Sequence, residues 1–106
     1  MTEIFTTRVR DIISSIPPGR VMTYGLVASR AGNRSGARQV ARILHSSSEK
    51  YDLPWHRVMN RDGKISLPRG GGYEQQKELL EQEGIVFGGN GCIDLEEYLW
   101  PANNCF

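Results

Sequence analysis

Apolar residues recur every three or four positions at the start of the chain. Phe5, Val9, Ile12, Ile13 and Ile16 share one face of an amphipathic helix. Pro17-Pro18-Gly19 ends it, because proline cannot donate the next helical hydrogen bond. Val21-Met22-Thr23 reads as a short extended segment, and Thr23 can cap a helix that begins at Tyr24. That helix turns Leu26, Val27 and Ala31 inward, and Gly32 ends it in the manner of a left-handed cap. A further helix, capped by Asn33 or Ser35, is expected to run to about Leu44, burying Ala37, Val40, Ala41 and Leu44. Two short helices across a Gly-Asn turn match the helix-turn-helix pattern.

Ser46-Ser47-Ser48 and the polar residues after it read as a loop leading to Leu53-Pro54-Trp55-His56-Arg57-Val58. Val58-Met59 and Lys64-Ile65-Ser66, joined through Asn60-Arg61-Asp62-Gly63, predict a small hairpin with Asp-Gly at its turn. Pro68 to Gly72 is a flexible loop holding Arg69 and three consecutive glycines. Glu74 to Glu83 predicts a helix with Leu79 and Leu80 inward, ended by Gly84. The tail is Gly-rich, then apolar through Ile93, Leu95, Tyr98, Leu99 and Trp100. No repeat or linker divides the chain, so residues 1–106 are expected to form a single domain. The fold class predicted is mainly α with a small β-hairpin, a winged-helix-like helix-turn-helix domain that binds DNA.

Composition changes this picture little until charge is mapped along the chain. The 106 residues carry 39% hydrophobic and 24% charged side chains, ordinary for a globular domain, with a net charge of +1. Between Arg20 and Arg69, however, ten bases stand against three acids, a local balance of +7. From Tyr73 onward seven acids stand against Lys77 alone. A basic centre beside an acidic end suggests that a polyanion faces the centre, although unevenly scattered surface charge gives the same count. No apolar run approaches the roughly 18 residues of a membrane span, and no secretory signal is visible. Cys92 and Cys105 are expected to be two free thiols in a reducing compartment rather than a bridge. No metal or cofactor motif is present, and none is expected to be needed.

The second helix of the pair carries Arg38 and Arg42 one turn apart, with Arg34 near its start and Gly36, Ala37 and Ala41 between them. Small side chains let a helix lie close to a nucleic-acid backbone while arginines reach phosphates or enter the base stack. Ordinary surface arginines are the plain alternative. Helix-turn-helix geometry alone favours a transcription regulator reading the major groove.

Pro54-Trp55-His56-Arg57-Val58 shifts that balance. The chain resembles the O6-alkylguanine-DNA alkyltransferases, whose active-site signature reads Pro-Cys-His-Arg-Val. The resemblance runs from about Phe5 to Gly84, through Ile16-Pro17-Pro18-Gly19-Arg20-Val21, Thr23-Tyr24-Gly25, Ala37-Arg38-Gln39-Val40 and Lys77-Glu78-Leu79-Leu80 to Glu83-Gly84. In that family a cysteine thiolate, activated through a histidine, a water and a glutamate, takes the alkyl group from guanine O6 in one irreversible displacement. His56 and Glu83 match the histidine and glutamate, but Trp55 stands at the nucleophile's position. Indole has no ionisable thiol, so the transfer is expected to fail. Neither remaining cysteine lies in a matching motif. The substitution, with Ile93-Asp94-Leu95 and Tyr98-Leu99-Trp100-Pro101 in the tail, is similar to the alkyltransferase-like group of the family.

The resemblance implies a non-enzymatic sensor that binds O6-alkylguanine in double-stranded DNA, bends the duplex and flags the lesion for nucleotide excision repair proteins. It further implies a monomer working where chromosomal DNA lies, in the cytoplasm at the nucleoid or in the nucleus. Arg38 matches the finger that fills the space left by the flipped nucleotide. Tyr24 matches the tyrosine that rotates the neighbouring phosphate. The helix carrying Arg38 would enter the minor groove, with Ala37, Arg34 and Arg42 at the DNA surface. Trp55, His56 and Tyr24 would belong to the lesion pocket, and Arg69 matches the arginine placed over the base. An enzyme using another residue, or a helix-turn-helix regulator, are the alternatives.

Overall fold

The computed structural model describes residues 3–101. Helix α1 (Glu3–Ser14) carries the predicted apolar face: Val9 and Ile13 are fully buried, and Ile16 continues the stripe beyond the helix end. Strand β1 (Met22–Thr23) feeds directly into helix α2 (Tyr24–Arg30). Thr23 is the cap expected of it, its hydroxyl accepting from the Leu26 N–H at 3.1 Å. Gly32 then takes a φ of +103°, which opens the turn toward helix α3 (Ala37–Tyr51).

Helix α3 departs from expectation at both ends. Its cap position is Gly36, with no side-chain hydrogen bond, rather than Asn33 or Ser35. It does not stop near Leu44, because the serines read as a loop stay helical. Ser46 Oγ donates to the Arg42 carbonyl at 3.1 Å and Ser48 Oγ to that of Leu44 at 2.5 Å. Each hydroxyl bonds back one turn, where it competes with no outward backbone bond. Asp52, in the left-handed region at φ 53°, ends the helix. Two residues expected in the core also differ: Val40 and Leu44 are buried, but Ala37 is only half-buried and Ala41 is exposed.

The predicted hairpin does not form. Strand β2 (Val58–Met59) pairs in parallel with β1, in the register Met22 with Val58 and Thr23 with Met59. The Asp-Gly turn is present, closed by an Asn60 N–H to Lys64 carbonyl bond of 3.1 Å. Beyond it the Gly63 carbonyl accepts from Ile93 N–H at 2.9 Å, which ties the turn to the tail, and Lys64-Ile65-Ser66 forms no strand. The reason lies in burial. Val58 and Met59 are both fully buried, and a strand covered on both faces belongs between elements rather than on a solvent-facing wing.

This small sheet divides the interior. Met22 and Val58 join α1, α2 and α3 in one cluster, while Val21 and Met59, pointing the other way, join Ile65, Leu80, Ile85 and Ile93 in a second. The second cluster is closed by helix α4 (Tyr73–Gln82) and by a short helix α5 (Leu95–Tyr98), capped by Asp94. The tail lies along β1, with Val21 N–H donating to Tyr98 and Trp100 N–H to Val21.

Candidate functional site

Trp55 opens a single 3-10 turn, Trp55–Arg57, wedged between the end of α3 and β2. Its indole packs against the first cluster and stands edge-on to the His56 ring, with centroids 6.1 Å apart. From there a cavity of about 520 Å³ opens between α3 and the Ser66-Leu67 segment. Its α3 wall is a stripe of Ala37, Arg38, Ala41, Leu44, His45 and Ser48, the three-and-four spacing of one helix face. That stripe is roughly 16 Å long at 1.5 Å per residue. Ala37 and Ala41 were read as core residues; the cavity explains why they are not, since their missing side chains are its space.

Tyr24 closes one side of the cavity, at the first position of α2, where the Thr23 cap fixes it. Burial raises its pKa, with the neighbouring Ser66 hydroxyl acting the other way, so the phenol is neutral around pH 7. Gln76 forms part of the floor and is buried, its amide donating to the His56 and Val58 carbonyls at 3.0 and 3.1 Å. Its place between Tyr73 and Leu80 on the inward face of α4 is the signal the sequence holds for this residue.

His56 and Arg57 turn away from the cavity, toward Glu83. Arg57 Nη2 donates to Glu83 Oε2 at 2.6 Å and its Nε reaches both carboxylate oxygens at 3.1 Å. His56 Nε2 lies 2.8 Å from Oε2, and the Gly19 N–H donates to Oε1 at 3.1 Å. Burial alone would raise the Glu83 pKa, but the Arg57 and His56 bonds and the Gly19 amide outweigh it and bring the carboxyl down to about 2. Arg57 also holds the Ile16 carbonyl at 2.9 Å. Glu83 thus ties the Trp55 turn to the loop after α1 and to the end of α4. Arg57 was counted in the basic centre of the sequence, yet its charge is spent inside this junction.

The structure therefore brings four of the proposed site residues, Tyr24, Ala37, Arg38 and Trp55, to one cavity. Arg42 lies exposed one turn beyond Arg38, and Arg34 lies exposed in the turn before α3. His56 and Arg69 are not among the cavity walls. Arg69, on the Gly-rich loop, places its guanidinium 4.5 Å from the centroid of the Tyr73 ring. Cys92 sits in the turn closed by the Gly88 N–H to Cys92 carbonyl bond, away from the cavity, and Cys105 lies outside the described residues. Among the described residues no group of three or more His, Cys, Asp or Glu could hold a metal ion, and no helix is long and apolar enough to cross a membrane.

Comparison with known proteins points the same way. The family model of the 6-O-methylguanine DNA methyltransferase DNA binding domain matches residues 4–85. A protein of Escherichia coli (strain K12) named DNA base-flipping protein is 47% identical over 96 residues, covering 91% of this chain and 74% of that protein. Alkyltransferase-like protein 1 of Schizosaccharomyces pombe is 39% identical over 101 residues, covering 91% of this chain and 94% of that protein. The crystal structure of S. pombe Atl1 in complex with damaged DNA containing O6-carboxymethylguanine superposes with a TM-score of 0.82 at 37% identity, over 94% of this chain and 97% of that one. With an indole where the family's signature places its thiol, the chain belongs to the family of the 6-O-methylguanine DNA methyltransferase DNA-binding domain, as a homologue that carries tryptophan at the position of the nucleophilic cysteine.

Proposed function

We propose that this protein is a non-enzymatic sensor of O6-alkylguanine in duplex DNA, which turns the damaged nucleotide out of the helix and holds it in the cavity beside Trp55. The observation that carries the reading is the meeting of Tyr24, Arg38 and Trp55 on one largely apolar cavity that has no thiol in its wall. Arg38 stands exposed at the edge of that cavity, where a side chain can enter the duplex as a base leaves it. Tyr24, a neutral phenol at a helix start, is placed to press on the neighbouring phosphate. Ala37 lets α3 come close to the minor groove, and Arg34 and Arg42 meet the backbone on either side.

The energetics are consistent with a binder. Extruding a base costs a few kcal/mol, which phosphate contacts and stacking in the pocket must offset. Alkylation at O6 removes the guanine N1 proton and weakens pairing with cytosine, so the damaged base is cheaper to extrude. Trp55 supplies an aromatic face, and Arg69 over the base would add roughly 0.5–2 kcal/mol of cation–π attraction. No thiol lines the cavity to accept the alkyl group, so the bound lesion persists. Handing it to nucleotide excision repair is the role we assign to that persistence, for a monomer acting at chromosomal DNA in the cytoplasm or nucleus.

The test is a duplex containing O6-methylguanine beside its unmodified twin. The expected result is strong preference for the modified duplex, with methyl group and glycosidic bond intact after prolonged incubation. Disappearance of the lesion would refute the reading in favour of an enzyme. Preference for an unmodified sequence would favour a regulator.

A further inference from the structure

Arg69, like His56, is assigned to the lesion but rests on something else. Its guanidinium carbon lies 4.5 Å from the centroid of the Tyr73 ring, in the first turn of α4. The Tyr73 ring packs with the second hydrophobic cluster, and a Cβ placed on Gly91 would lie 3.7 Å from the Tyr73 hydroxyl. Gln76, on the same helix, faces the cavity instead. Arg69 is thus drawn toward the tail side of α4, and the cavity wall on its loop ends at Ser66 and Leu67.

The adjoining backbone is held the same way. Glu74 Oε1 accepts the Gly70 N–H at 3.0 Å, and the Pro68 carbonyl accepts from Gly71 at 2.9 Å. That Gly70 bond is the main cause of a lowered Glu74 pKa, with the charge of Arg69 adding to it. Gly70 and Gly72 have φ of +80° and +114°, and no atom lies within 4 Å of a Cβ placed on Gly70. The open space is therefore at Gly70, beside Arg69, whereas Gly71 and Gly72 lie against Pro68 and Leu67. It is the Arg69 end of the loop that has room to move once the Tyr73 and Glu74 contacts release.

We infer that Tyr73 and Glu74 are positioning residues for Arg69: they hold its guanidinium on a resident aromatic face outside the pocket, a face with which the flipped base must compete. This rests on the sensor reading given above. An exposed cation–π contact is weak, and a desolvated one in the pocket is stronger, so Arg69 transfers only when a base fills the cavity. Removing the resident face removes the competitor, which predicts tighter binding rather than weaker.

Lesion and unmodified duplexes are titrated with the wild type, Tyr73→Leu, Tyr73→Phe, Glu74→Ala, Arg69→Ala and the Arg69→Ala/Tyr73→Leu double variant. Tyr73→Leu is expected to tighten lesion binding about two- to fivefold. Tyr73→Phe should match the wild type, because the aromatic face survives. Glu74→Ala, at an exposed position that does not threaten folding, should tighten binding to a smaller degree. In the Arg69→Ala background Tyr73→Leu should have no effect, since the cycle then lacks the interacting partner. Unchanged or weaker lesion binding by both Tyr73→Leu and Glu74→Ala, with Arg69→Ala still weakening it, overturns the inference and leaves the sensor reading standing. The same change on Tyr73→Leu with or without Arg69 overturns it too, as a purely structural effect. Lesion binding indifferent to Arg69→Ala removes both the inference and the role given to that arginine.

Discussion

Glu83 shows how a residue can keep its place after its chemical partner has gone. In the resembling enzymes the glutamate works through histidine on a thiol; in this chain it receives Arg57, His56 and the Gly19 amide and joins three segments. Its pKa falls from an ordinary 4.5 to about 2. A carboxyl depressed in the folded state contributes stability that is present above its ordinary value and lost as pH falls toward the folded one. Melting temperature should therefore drop between about pH 5 and pH 2, and Glu83→Gln should flatten that part of the profile while costing about 1–3 kcal/mol near neutral pH. An identical acid profile for the variant would show that other carboxyls govern the transition. The cavity residues Tyr24, Arg38 and Trp55 were legible in the sequence because the resemblance to the alkyltransferases marked them. Gln76 was marked only by its place on the inward face of α4, and what it does there depends on two carbonyls supplied by a distant segment, His56 and Val58.

Among the elements, α3 carries most of the proposed function. Arg38→Ala is expected to abolish preference for the lesion, because nothing else on the helix can fill the vacated stack. Arg34→Ala and Arg42→Ala should weaken modified and unmodified duplexes alike, each reducing the slope of log affinity against log salt by about 1. Lesion preference surviving in Arg38→Ala would defeat the flipping model. The start of α3 has its own constraint: a Cβ on Gly36 would come 2.9 Å from Phe5 Cζ, and Gly36 is buried. Gly36→Ala should cost about 1–3 kcal/mol by overpacking, measured by denaturant unfolding. The helices were readable from their apolar spacing and the Thr23 cap. The length of α3 was not, because three serines signal a loop unless their hydroxyls turn back onto Arg42 and Leu44. Nor was the parallel pairing of β1 and β2, because an Asp-Gly turn signals a hairpin and the partner of Val58-Met59 lies far earlier in the chain, at Met22-Thr23.

At the scale of the whole molecule, the two-stranded sheet separates a half built by α1, α2 and α3 from a half built largely by α4 and the tail, and the cavity lies where α3 faces Ser66, Leu67 and Gln76. The acidic residues gather in the second half, so charge as well as packing orients the first toward a polyanion. The Arg57–Glu83 pair reaches across that division, and the basic excess available to DNA is smaller than the sequence count by one arginine. The chain has two tryptophans, Trp55 in the cavity and Trp100 packed against the first cluster, hydrogen-bonded to Val21. Of the two, Trp55 lines the cavity and Trp100 does not, which gives the molecule an optical gauge of its own. A base stacking on Trp55 should quench its emission, whereas Trp100 stays in the same surroundings, so a Trp100→Phe variant should report lesion capture against almost no background. Emission unchanged at saturating lesion DNA would place the base elsewhere. The position that once would have recorded damage by becoming alkylated would then record it as light lost, reversibly, each time a lesion enters and leaves.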